Sequence, residues 1–154
     1  MKKLCIATLC VAAVFLGAAA PAWAANPHFV KGPTAVDNGT TVTVSGSVAG
    51  LGNEDVRVVV TATGTAVVDC RNPGGNIAPG QRKSVDVSGE QVITDVKNGR
   101  INFSVTTVEP TPPPDSCPNP RWTPILRDVE FTDADVAVFQ PVDSTTPVLE
   151  RDVL

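Results

Sequence analysis

The 154-residue sequence is poor in the side chains that most often carry out catalysis or hold a cofactor. It contains no tyrosine, its only histidine is His28, and its only methionine is Met1. General acid–base catalysis and metal ligation rely on histidine more than on any other residue, so this composition argues against a cofactor-dependent enzyme. Basic residues are also scarce, with 12 Lys and Arg against 16 Asp and Glu. This balance excludes a strongly basic nucleic-acid binder.

The first 24 residues have the three parts of an export signal. Lys2 and Lys3 precede an apolar stretch over residues 4–20, and Ala22-Trp23-Ala24 is a small-residue cleavage site. An uncleaved anchor is the alternative, but about 17 residues is the lower limit for a membrane span. Cleavage after Ala24 leaves 130 residues with a net charge of −6, within the size of one domain. We predict a bacterial signal peptide at 1–24, a secreted or extracytoplasmic location and no membrane span after cleavage.

Two cysteines, Cys70 and Cys117, remain after the predicted cleavage. An even number of cysteines in an exported chain indicates a disulfide, with two independent buried thiols as the alternative. A metal site would need more ligands than this sequence offers beside its single histidine. We therefore predict a structural disulfide, no catalytic cysteine, no metal and no cofactor.

Alternating apolar and polar residues predict short strands throughout the mature chain. Its 23 Val and 15 Thr favour strands, whereas its 13 prolines interrupt them, and no segment carries a sustained helical period. Alternation is clearest over residues 41–48, 56–70, 83–88 and 101–106. Gly64 is expected to bend or end the second of these strands. The alternation predicts a core that includes Val44, Val58, Val60 and Phe103.

Turn signals divide the rest of the chain. Asn98-Gly99 predicts a hairpin after a short strand at 92–96, and Asp133-Ala134 lies between two apolar-alternating runs that predict a final hairpin over 125–140. We predict a domain at 25–141, followed by a tail or edge strand at 142–154. Seven to nine short strands with one disulfide are typical of an all-β, immunoglobulin-like antiparallel β-sandwich. Because Trp122 follows the second cysteine, the spacing of true immunoglobulin domains is absent and the likeness is architectural.

Several turn motifs together resemble a group of small secreted bacterial β-sandwich proteins that are uncharacterised. The motifs are Asn26-Pro27-His28-Phe29, Gly50-Leu51-Gly52-Asn53, Asn72-Pro73-Gly74-Gly75-Asn76, Pro79-Gly80-Gln81, Cys117-Pro118-Asn119 and Trp122-Thr123-Pro124. The resemblance covers nearly the whole mature chain, but its motifs are turns. It therefore implies no activity and no catalytic residue.

Two features invite a chemical interpretation. His28 lies three residues after the predicted mature start, where a rigid catalytic partner is not expected. Four carboxylates lie within residues 128–135: Asp128, Glu130, Asp133 and Asp135. A solvated sheet face explains them best, with calcium binding or glycoside hydrolysis as alternatives.

The proline-rich segment over residues 109–124 is the longest predicted loop. It contains Asn119, Arg121 and Trp122, and the last two are residue types that anchor interfaces; capping of the sandwich end is the alternative role for Trp122. The sequence predicts a non-enzymatic extracellular module with a binding or structural role. Its partner would be an extracellular protein or glycan that contacts this loop and the neighbouring loop at 72–79. A small secreted hydrolase or inhibitor, using this loop or the acidic hairpin, is the alternative.

Overall fold

The computed structural model describes residues 26–154, so the predicted signal peptide at 1–24 lies outside the described residues. Within them the chain forms eight β-strands and one short 3₁₀ turn at Pro114–Ser116. The strands are β1 (His28–Asp37), β2 (Val42–Ala49), β3 (Val56–Arg71), β4 (Ile77–Pro79), β5 (Lys83–Ile93), β6 (Ile101–Thr106), β7 (Thr123–Phe139) and β8 (Leu149–Asp152). No helix in this part of the chain has the length and apolar character that a membrane span requires.

The strands form two antiparallel sheets. The small sheet has the order β1-β2-β6. In the large sheet, β3 pairs with β7 on one edge and with both β4 and β5 on the other, while β8 lies outside β7. The inner faces of the two sheets pack together, which confirms the predicted all-β sandwich.

The core between the sheets consists mainly of valine, because the strands place one residue in two on the inner face. Val44, Val58 and Val60 are completely buried and Phe103 is 4% exposed, as predicted. The cluster that joins the two sheets consists of Val42, Val44, Val48, Leu51, Val56, Val58, Val60, Ala62, Val87, Ile101, Phe103, Val105, Ala134, Val136 and Val138. Alternation therefore identified these four residues correctly, but not Ala134, which was predicted to lie in a turn.

The predicted final hairpin over 125–140 is wrong. These residues belong to β7, a single strand of 17 residues that pairs with almost the full length of β3. Asp133 and Ala134 do not form a turn, since they stay in register with Thr63 and Ala62 of β3. The pairing accommodates two extra residues of β7 as bulges, Thr132 beside Gly64 and Arg127 beside Val68.

Two further strand boundaries differ from the prediction. Gly64 does not end β3, which runs unbroken for 16 residues, although the pairing with β7 shifts register beside it. The prediction of a separate strand at 92–96 is also wrong, because residues 83–93 form one strand. The turn at Asn98-Gly99 forms, but β5 pairs with β3 and β6 pairs with β2, so the turn joins the two sheets instead of two paired strands.

Candidate functional site

The predicted disulfide between Cys70 and Cys117 is present, with Cα atoms 5.7 Å apart. Cys70 lies near the end of β3 and is fully buried. Cys117 follows the 3₁₀ turn in the connection between β6 and β7. We call residues 107–122 the proline-rich loop. The disulfide therefore ties the middle of this loop to the inner face of the large sheet.

The inner side of the proline-rich loop is part of the hydrophobic interior. Ser116 is fully buried, and its carbonyl accepts a hydrogen bond from Gln81 N at 2.7 Å. A Cβ atom on Gly80 would lie within about 3 Å of Cys70 Sγ and the Ser116 carbonyl, so the chain requires glycine there. This side of the loop closes the sandwich and offers no surface to a partner.

The outer side of the proline-rich loop carries Asn119, Arg121 and Trp122. The Asn119 carboxamide accepts a hydrogen bond from Arg121 N, and the Asn119 carbonyl accepts one from Trp122 N, both at 2.9 Å. Arg121 is exposed and Trp122 is half-buried. Asn119 thus fixes the backbone of a tight turn, while Arg121 projects into solvent beside a partly covered tryptophan.

A second tight turn lies next to this one. Within residues 72–76, Asn72 N donates to Asn76 O, Gly75 N donates to Asn72 O, and Asn76 N donates to the Asn72 side chain, each at 2.9 Å. Arg71, directly before this turn, pairs with Thr123, directly after the Arg121-Trp122 pair. Both turns therefore lie at one end of the large sheet. The predicted loop at 72–79 is shorter than expected, because Ile77–Pro79 forms β4 and pairs with β3. We call residues 72–76 and 119–122 together the binding tip.

The acidic residues predicted as a cluster separate into two environments. Glu130 forms an ion pair with Arg82. Asp135 lies opposite Asp152 of β8, and its pKa is raised by burial and by the charges of Asp133, Asp152 and Glu150. Within residues 26–154, no group of three or more His, Cys, Asp or Glu side chains is arranged to hold a metal ion.

His28 lies apart from these carboxylates. It is exposed at the start of β1, in the small sheet, whereas Asp128, Glu130, Asp133 and Asp135 all lie on β7 of the large sheet. Its Nδ1 atom lies 2.8 Å from the Asn26 carbonyl and donates to it. The structure thus places the one histidine on a different sheet from the four carboxylates.

A shallow polar depression of about 200 Å³ lies on the small sheet, where sequence reasoning predicted no site. It is lined by Lys31, Thr34, Ser45, Gly46, Ser47, Asn102 and Phe103. Two irregularities in the pairing of β1 with β2 flank Lys31 and widen the space between the strands. The Gly32-Pro33 pair inside β1 is the sequence signal for such an irregularity. The depression is smaller than the roughly 300–1,000 Å³ of typical ligand pockets, so it suits water or a small polar group.

No protein-family model, no curated protein and no solved structure matches this chain. A β-sandwich hosts many unrelated functions, so the fold by itself brings no activity with it. The surface features that remain to be considered for a function are the binding tip, the acidic sheet face and the polar depression.

Proposed function

We propose that the protein is a secreted, non-enzymatic, immunoglobulin-like module that binds an extracellular protein or glycan through the binding tip. The observation that carries this proposal is the exposed Arg121 beside the half-buried Trp122 on a backbone fixed by Asn119 and the disulfide. Arginine and tryptophan are the residue types most enriched among interface anchors. Loops on a rigid scaffold carry binding more often than the scaffold does.

The rigidity of the proline-rich loop supports the same proposal. Five of the nine residues from Pro110 to Pro118 are prolines, which restrict the backbone before any partner arrives. The disulfide and the hydrogen bond from Gln81 N to the Ser116 carbonyl restrict it further. Since little conformational freedom is left to lose, binding through the tip costs less ordering entropy than binding through a mobile loop.

A binding role also agrees better than catalysis with the placement of the charged residues. Catalysis by two carboxylates needs a substrate held between them at a defined separation. Here Glu130 is engaged by Arg82, and Asp133 and Asp135 lie on the outer face of an open sheet. An open sheet face does not by itself hold a substrate and exclude water, as that chemistry requires.

The proposal is tested with the mature wild-type protein, Trp122→Ala and Arg121→Ala. Each protein is applied to a glycan array, and each is used in a pull-down from the native secretion medium. Once a ligand is identified, each substitution is expected to weaken binding by at least about 1 kcal/mol, because each removes an anchor of the tip. The unfolding midpoint of Arg121→Ala should stay unchanged, since this side chain is exposed.

Arg100→Ala is the matched control, because Arg100 is an exposed arginine in the turn that joins the two sheets. It should leave binding at the wild-type level. If both tip variants bind like the wild type while Trp122→Ala lowers the unfolding midpoint, Trp122 only caps the sandwich and the interface lies elsewhere.

A further inference from the structure

The chain contains two Asn-Gly pairs, Asn38-Gly39 and Asn98-Gly99. Both asparagines are exposed, Gly39 is half-buried, Gly99 is buried, and both glycines have positive φ. Asn-Gly pairs are chemically labile because a glycine, which has no Cβ, leaves its backbone nitrogen free to approach the preceding side-chain amide. The two pairs share this covalent chemistry and differ in what surrounds them.

At Asn38-Gly39, both reacting groups and the glycine carbonyl form hydrogen bonds. The Asn38 Nδ2 atom donates to Thr43 Oγ1 at 2.9 Å and to Thr41 Oγ1 at 3.4 Å. Gly39 N, the atom that would attack, donates its hydrogen to Asp37 Oδ1 at 2.8 Å. The Gly39 carbonyl also accepts a hydrogen bond from Val129 N of the large sheet. Attack by Gly39 N would require several of these bonds to break together.

At Asn98-Gly99 the glycine carbonyl is held in the same way, since Leu51 N donates to it at 3.0 Å, but the two reacting groups are not held by any of the described residues. Within the part of the chain that the structure describes, the Asn98 side chain and Gly99 N form no hydrogen bond. The turn is closed by Arg100 N donating to Lys97 O at 3.0 Å and by a long reverse bond of 3.4 Å, outside any regular strand. At this turn, unlike at Asn38-Gly39, neither reacting group has a hydrogen bond to a described residue that must break before attack.

We propose that Asn98 is a site of spontaneous backbone modification in the folded protein, whereas Asn38 is protected. Gly99 N loses its proton and forms a bond to Cγ of Asn98, and the bond from Cγ to the side-chain nitrogen breaks, so that ammonia leaves. Water then opens the resulting succinimide at one of its two carbonyls. The products are aspartate, or isoaspartate in which the backbone passes through the side-chain carboxyl carbon.

Isoaspartate would disturb the packing under this turn. Leu51 N donates to the Gly99 carbonyl at 3.0 Å, and Leu51 is 2% exposed in the core. Gly99 lies so close to the Leu51 carbonyl that no Cβ fits between them. The extra methylene that isoaspartate inserts into the backbone cannot be accommodated there without moving Leu51. The modified protein should therefore unfold at a lower denaturant concentration than the unmodified protein.

The proposal is tested by incubating the oxidised, folded protein at mildly alkaline pH and following both sites by peptide mapping. At Asn98 and at Asn38, the map quantifies two changes separately: replacement of the side-chain NH₂ by OH, and formation of isoaspartate. We expect modification at Asn98 to be at least about tenfold faster than at Asn38 in the folded protein. After reduction and unfolding in guanidinium chloride, the two rates should agree within about twofold, because only local structure separates them.

Substitutions at Asp37 provide the matched pair. Asp37→Ala removes the acceptor of Gly39 N and should raise the rate at Asn38 several-fold, while Asp37→Asn retains an acceptor oxygen and should keep Asn38 protected. Asn98→Gln should abolish modification at that turn. Equal rates at the two sites in the folded protein, or modification of Asn98 only after unfolding, would overturn the proposal.

Discussion

At the scale of single residues, Asp135 is the carboxylate whose environment departs most clearly from that of a solvated sheet face. Burial raises its pKa most, and the charges of Asp133, Asp152 directly opposite it on β8, and Glu150 raise it further. Like charges directly opposite in a sheet destabilise it. Since the folded-state pKa is raised above 3.8, the folded protein holds this proton more tightly than the unfolded chain does. The resulting stability is fully present below pH 3.8 and is lost as the pH rises through the folded-state pKa.

Asp135→Asn should therefore stabilise the protein at neutral pH, because it removes one of these charges and keeps the shape of the side chain. We expect a gain of at most about 1 kcal/mol at pH 7, since solvent screens partly exposed charges. The gain should shrink as the pH falls towards 3.8, which urea unfolding at a series of pH values will measure. Asp55→Asn, in the exposed turn before β3, is the control and should change nothing. A gain that does not depend on pH would show that charge is not its cause.

Residue burial could be predicted from the sequence, but the neighbours of a charged residue could not. Val44, Val58 and Phe103 follow from alternation alone, because a strand places every second side chain on the same face. The pairing of Asp135 with Asp152 depends on the register between β7 and β8, which no local pattern specifies. The sequence suggested an acidic hairpin, whereas the structure shows an acidic row that crosses two strands.

At the scale of elements, the long pair β3 and β7 forms the centre of the large sheet. Gly64 lies beside one of the two bulges of β7, the one at Thr132, and this position explains the glycine. A Cβ atom there would come within 2.8 Å of both the Glu130 carbonyl and Val129 Cγ1. The backbones of β3 and β7 thus approach each other most closely beside the bulge, and a side chain would push them apart.

Gly64→Ala is expected to lower the free energy of unfolding by about 1–3 kcal/mol, the usual cost of forcing an extra methyl group into a packed site. Gly32→Ala is the matched control, since Gly32 also lies within a strand but a Cβ there meets no atom within 4 Å. Urea unfolding of both variants gives the comparison. If Gly64→Ala costs no more than Gly32→Ala, the close approach beside the bulge is not what requires glycine.

The existence of strands could be predicted from the sequence, but their lengths could not. Asp133-Ala134 has the composition of a turn, yet the residues before and after it also pair with β3, and this pairing keeps the chain extended. Glycine likewise often marks the end of a strand, but Gly64 lies inside β3, where a bulge in β7 leaves no room for a side chain. In both places the hydrogen bonds and burial supplied by a neighbouring strand outweigh local turn propensity, and that neighbour is distant in the sequence.

At the scale of the whole molecule, the central strands of the large sheet are longer than the strands of the small sheet. The proline-rich loop covers part of the large sheet that extends beyond the small one. The core between the sheets uses only the half of β3 and β7 near Val58 and Val136. In the other half, Ala66, Val68, Cys70 and Val129 are buried although they lie outside that core cluster. Ser116 of the loop is buried beside Cys70, with its carbonyl oxygen 3.6 Å from Cys70 Sγ. The sequence predicted the loop, its disulfide and, as an alternative, a cap on the sandwich end, but it did not predict the strand lengths that leave this half of the large sheet to be covered.

Reduction of the disulfide should therefore destabilise this half of the molecule more than the other half. The chain-entropy estimate for a closed loop of 48 residues, from Cys70 to Cys117, is about 4 kcal/mol, and measured losses are typically about 2–4 kcal/mol. We expect a loss in that range for the reduced protein and for the double variant Cys70→Ala/Cys117→Ala, as measured by urea unfolding.

Hydrogen exchange of the native reduced protein locates where the stability is lost. The Gln81 amide, which donates to the Ser116 carbonyl, should lose protection because the loop that supplies its acceptor is no longer tied down. The amides of β3 near Val58 and Val60 should retain their protection, since the core between the sheets does not include the loop. The oxidised wild-type protein is the control. If reduction costs less than about 1 kcal/mol and Gln81 stays protected, then packing alone holds the loop over the sheet and the covalent link is dispensable for closing this end of the sandwich.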